Sequence, residues 1–141
     1  MSGRTFVDTN VLIYAHDVDA GSKHQVASAR LLELWQSRQG FLSAQVLKEF
    51  YVNVTRKIGK PISRKAARNV LKAYAPWCSG SLRPDDLIRA SEIEERHRIS
   101  FWDALIIVSA KLGGATRVLS EDLNPGQLIE GLTVENPFVA H

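Results

Sequence analysis

Short apolar runs that end in polar residues, set between helix-length segments, constrain this chain more than any other feature. Thr5 to Asp8, Gly40 to Ser43, Thr116 to Ser120 and Leu132 to Glu135 read as strands. The segments between them carry the three-to-four-residue apolar spacing of helices. Strands alternating with helices predict an α/β fold, with a parallel sheet covered on both faces. A strand in such a sheet need not alternate apolar and polar residues, because helices bury both of its sides. In open sheets of this kind, ligands bind beyond the carboxyl ends of the strands. Function is therefore expected among residues that follow the strands.

A first helix is expected over Asn10 to Asp17. A second runs over Ser22 to Gln39, with Val26, Leu31, Leu34 and Trp35 on one face and Gly40 as its stop. Ser43 opens a third that continues to Ile58 and is stopped by Gly59 and Pro61. Ser63 caps a basic helix running towards Trp77. Asp85 to His97 is helical, with Leu87, Ile88, Ala90, Ser91 and Ile93 setting its inward side. The helix begun by Ser100 is apolar nearly all round from Trp102 to Leu112, which predicts burial, and Gly113 and Gly114 end it. The 141 residues suit one domain spanning 1–141, with no repeat or linker to divide it. No apolar run reaches the ~18 residues of a membrane span. Met1 to Thr5 lacks the layout of a signal peptide, and the lone Cys78 excludes an internal disulfide. A cytoplasmic setting is the expectation.

Four acidic residues stand just after apolar runs: Asp8, Glu49, Asp103 and Asp122. A fold that gathered them would crowd like charges, which neutral pH tolerates only around a cation. A divalent metal in a carboxylate nest in turn suits phosphoryl chemistry. Each acid also has a plainer reading. Asp8 can cap a helix, as can Thr9 or Asn10, although an Asp that closes a buried strand is costly to hide without a partner. Glu49 lies just beyond the Val46 edge of its helix's apolar face, beside Asn53, where a solvated Glu is equally at home. Asp103 stands three residues after Ser100, the spacing of a capping box, yet a helix start also favours an anion and holds it rigidly. Ser120-Glu121-Asp122 can be a plain turn, and local reasoning does not separate Glu121 from Asp122. The Ser120 hydroxyl can orient either one.

The formal charge of +3 permits nucleic-acid binding without requiring it. Arg56, Lys57, Lys60, Arg64, Lys65 and Arg68 fall within thirteen residues that contain no acid. Such a run is either a solvated face or a phosphate contact. Other chemistries fit poorly. No His–Cys spacing suggests zinc, and no glycine loop matches a nucleotide fingerprint. Asp8-Thr9-Asn10 lacks the second carboxylate of an aspartyl-phosphate phosphatase. His16 and His97 could serve as an acid–base pair, but nothing in the sequence ties them together.

Phe6-Val7-Asp8-Thr9-Asn10-Val11-Leu12 opens a series of motifs that continues with Ser43 to Tyr51, Phe101 to Ile106, Val118 to Leu123 and Gly131 to Phe138. In order and spacing these resemble a PIN domain, and more narrowly a VapC-type toxin of bacterial toxin–antitoxin pairs. The resemblance spans essentially the whole chain. It implies a three-layer α/β/α sandwich around a parallel sheet. It implies an endoribonuclease dependent on one or two Mg²⁺ or Mn²⁺ ions, cleaving RNA phosphodiester bonds through metal-activated water. Asp8, Glu49, Asp103 and Asp122 match the family's four acids, with Asn10 and Ser120 as polar companions. Glu121 is a departure, an extra carboxylate beside the fourth acid. Arg56 and Lys57 would contact RNA backbone. A homodimer and an antitoxin partner are also implied. The alternatives are an RNA-processing nuclease of the same kind without a toxin role, and an inactive RNA-binding module.

Overall fold

The computed structural model describes residues 3–139. Met1, Ser2, Ala140 and His141 lie outside the described residues, so the expectations that include them are assessed only over the remainder. The strands are β1 (Arg4–Val7), β2 (Gly40–Phe41), β3 (Ala115–Leu119), β4 (Leu128–Ile129) and β5 (Leu132–Glu135). The helices are α1 (Thr9–Ala15), α2 (Ser22–Ser37), α3 (Ala44–Arg56), α4 (Arg64–Tyr74), α5 (Pro84–His97) and α6 (Phe101–Leu112). The sheet order is β2-β1-β3-β5-β4. Every pairing is parallel except β4 with β5, which is antiparallel.

The chain is thus an α/β sandwich. Phe6 and Val7 point to opposite faces of β1 and both are fully buried, so helices cover the sheet on both sides. On one part of the fold α1 packs on α2 and α3. Elsewhere α5 packs on α6, and α6 lies along β3. The expected strands are present, with β2 shorter than its apolar run because Ser43 leaves the sheet to cap α3, its hydroxyl accepting from the Val46 amide. The β4 edge, two residues long, had no usable signal at that length.

Three expectations are corrected. Gly40 does not stop α2. The stop is Arg38, in the left-handed conformation at φ 61°. Gly40 instead opens β2, where a Cβ would come within 2.6 Å of the Trp77 ring. In α5, Leu87, Ile88 and Ser91 face solvent rather than inward. The buried stripe is Asp86, Ala90 and Ile93, because the Asp86 carboxylate turns in to accept the Arg83 amide at the helix start. Burial of α6 holds from Ala104 to Ala110 but fails at its ends. Trp102 is 64% exposed and Leu112 is 53% exposed, since both project past the elements that cover the middle turns.

Candidate metal centre

Because β1 and β3 are parallel neighbours with Val7 opposite Leu119, the residues after each strand emerge side by side. The Asp8 amide extends this ladder by donating to the Leu119 carbonyl at 2.9 Å. Asp8 therefore leaves β1 next to the loop that carries Asp122. The first turn of α6 brings Asp103 to the same edge. One carboxylate oxygen from each of Asp8, Asp103 and Asp122 lies within 4.8 Å of the other two. Asp8 is buried, Asp103 half-buried and Asp122 exposed, so the group opens to solvent on one side.

Glu49 is not among the converging three. Its Oε2 accepts the Thr9 hydroxyl at 2.8 Å and its Oε1 accepts the Gln45 amide at 3.1 Å. It remains an electrostatic neighbour, since its charge helps to raise the Asp103 pKa. Asn53 does lie beside it, donating to the Glu49 carbonyl at 2.8 Å.

Ser120 is fully buried and links two of the acids. Its hydroxyl donates to Asp8 Oδ2 at 2.8 Å and accepts from the Asp122 amide at 3.1 Å. Asn10 grips the same loop with both ends of its amide. Nδ2 donates to Asp122 Oδ2 at 3.0 Å, and Oδ1 accepts from the Glu121 amide at 3.1 Å. The Glu121 carboxylate is taken up elsewhere, by the Tyr14 hydroxyl at 2.8 Å and by an ion pair with Lys23. Asp8 does cap α1, since its Oδ1 accepts from the Thr9 amide at 2.7 Å. Asp103 receives the other kind of cap: its own amide donates to the Ser100 hydroxyl at 3.0 Å.

The electrostatics follow from this packing. Burial pushes the Asp8 pKa up to about 7. Hydrogen bonds from Ser120 and Thr9 oppose the rise, and the charges of Asp122 and Asp103 add to it. Asp103 is raised mainly by burial, offset in part by Ser100, with further increases from Asp122 and Glu49. Among the described residues no Lys or Arg forms an ion pair with Asp8, Asp103 or Asp122. Three converging carboxylates without a basic side chain are a donor set of hard oxygens, the type that suits Mg²⁺, Mn²⁺ or Ca²⁺. These residues fit a divalent cation.

Thr9, Gln45, Tyr14 and Lys23 touch the acids and were not singled out from sequence. Gln45 stands four residues before Glu49, a helical pairing readable from spacing. Lys23 with Glu121 has no such signal. Arg56 and Lys57 are exposed at the end of α3 and pair with no described acid. His16 packs edge-on against Phe50 and Tyr74, whereas His97 bonds Glu130.

The model of the PIN domain family matches residues 5–127. No curated protein matches the chain. Among solved structures, a toxin–antitoxin complex from Klebsiella pneumoniae is 20% identical, with a TM-score of 0.67 over 95% of this chain and 98% of that one. VapC20 of Mycobacterium tuberculosis, described as a sarcin-ricin loop cleaving toxin, is 21% identical, with a TM-score of 0.60 over 81% and 86%. VapBC2 from Rickettsia felis, bound to a DNA fragment from its promoter, is 17% identical, with a TM-score of 0.60 over 94% and 97%. At these identities the three share the fold of this chain.

Proposed function

The chain belongs to the PIN domain family, and from that premise we propose that it is a metal-dependent endoribonuclease acting as the toxin of a toxin–antitoxin pair. The observation that carries the reading is the convergence of Asp8, Asp103 and Asp122 at the strand ends, where no described Lys or Arg pairs with them. The toxin–antitoxin complexes among the structural neighbours support the biological role. On this reading residues 1–141 form a single nuclease domain in the cytoplasm, working as a homodimer that an antitoxin restrains. No helix among the described residues is long and apolar enough to cross a membrane.

Asp8, Asp103 and Asp122 would hold Mg²⁺ or Mn²⁺, with Glu49 at the margin. When bound, the ion supplies Lewis acidity for hydrolysing a phosphodiester. The chain's own residues prepare the place for it. Ser120 fixes the Asp8 carboxylate with one hydrogen bond and the Asp122 backbone with another. Asn10 sets the Asp122 carboxylate directly. Thr9 and Gln45 hold Glu49 in one orientation. Arg56 and Lys57 would meet the RNA backbone, giving affinity without sequence choice.

Asp8→Asn and Asp103→Asn should each lower RNA cleavage by more than the roughly 10- to 100-fold that losing an outer partner of a metal site costs. Circular dichroism should show both variants folded. Mn²⁺ should raise the melting temperature of the wild type, because it binds the folded cluster and not the unfolded chain. Full activity in both variants, or no melting shift at millimolar Mn²⁺, would overturn the proposal.

A further inference from the structure

The tryptophans of this chain are used in two different ways. Trp35 and Trp77 stack on each other with centroids 5.1 Å apart, and both meet Tyr74 edge-on. Among the described aromatic rings Trp102 meets Phe101 alone, edge-on at 6.0 Å, and it stays 64% exposed. It stands one residue before Asp103 in the first turn of α6. Its side chain lines a groove of about 530 Å³ that runs between α6, the first turns of α3 and the loop ahead of α5. That volume lies within the range of small-molecule sites.

The groove and the acidic edge share a wall. Gln45 lines the groove while its amide donates to Glu49. Lys48, exposed and in no ion pair with a described acid, stands on the same wall. Leu82 adds apolar surface and Ser81 a hydroxyl opposite them. An open indole, a free cation and a hydroxyl beside a phosphodiester-cleaving centre match the parts of one nucleotide. An aromatic face stacks any base, and a lysine meets its phosphate.

We propose that this groove receives an unpaired nucleobase of the RNA substrate, with Trp102 as its stacking platform and Lys48 as the contact to the adjoining phosphate. The inference rests on the nuclease reading and adds to it a requirement for single-stranded substrate at this point. Trp102 faces solvent, so its replacement leaves the core intact.

The test measures binding of the full chain in EDTA to a short oligouridylate and to an abasic strand of equal length, which keeps the phosphates and lacks the bases. Trp102→Ala should weaken oligouridylate binding roughly 5- to 150-fold, the loss of one base stack. It should leave abasic binding, the melting temperature and the Mn²⁺-induced melting shift unchanged. Trp102→Phe should keep most of the affinity while removing the quench of tryptophan emission on binding. Lys48→Ala should lower the salt dependence for both strands. Equal oligouridylate binding by wild type and Trp102→Ala overturns the platform alone, as does wild-type affinity that is the same for both strands. A changed oligomeric mass in Trp102→Ala, with RNA binding unaltered, assigns the residue to a protein contact and also overturns it. A wild-type chain that binds neither strand overturns the platform together with the nuclease reading.

Discussion

As a metal ligand, Asp8 would have to act as an anion where burial favours the neutral acid. Its folded pKa of about 7 stands above the ordinary 3.8. Between those values the folded chain holds a proton that the unfolded chain has released. The stability tied to this group is therefore complete below about pH 4 and is lost as the pH rises towards 7. In urea unfolding with EDTA, Asp8→Asn should be more stable than the wild type at pH 8, by at most a few kcal/mol, and the gap should close towards pH 5. Saturating Mn²⁺ should reverse the order at pH 8. A gap that widens on acidification would contradict the burial account. At this scale the sequence was partly transparent. An acid that closes a buried strand, or opens a buried helix, advertises its own cost, and Asp8 and Asp103 do so. Local reasoning does not separate Asp122 from Glu121, which only the family resemblance tells apart, because what separates them lies more than ninety residues away. Tyr14 and Lys23 claim one, Asn10 claims the other.

Helix α6 shows how an element carries a candidate site. Its middle turns are buried from Ala104 to Ala110, which fixes the rigid base from which Asp103 projects. Its far end is locked by Gly113, where a Cβ would lie 2.1 Å from the Phe41 ring of β2. Gly113→Ala should destabilise the chain by about 1–3 kcal/mol, the usual result of overpacking. Thermal melts would read this as a drop of several degrees. An unchanged melting temperature would show that Phe41 gives way. Helical periodicity located α6 and α3 because their apolar faces are broad. It mislocated the inward side of α5, where a buried capping carboxylate, Asp86, outranked the exposed Leu87 and Ile88. The α2 stop was misassigned for a similar reason. Arg38 took the left-handed position, and the nearby glycine was needed for contact with Trp77.

Across the whole molecule, alternation of strands and helices was enough to read the architecture, since a parallel sheet leaves that rhythm in any sequence. The antiparallel β4 edge is too short to leave it. The net charge of +3 hides an uneven surface. Arg56, Lys57, Lys60, Arg64, Lys65 and Arg68 are all exposed, and none pairs with a described acid. If Arg56 and Lys57 touch phosphates, replacing both with Ala should reduce the slope of log affinity against log salt by about 1.4 for single-stranded RNA. An unchanged slope would return the run to plain solvation. The sheet order has a consequence in time. Asp8 is made more than a hundred residues before Ser120 and Asp122, and β5 follows them. No partial chain ending before Asp122 contains the three acids. The proposed nuclease is therefore inert until Asp122 has been made.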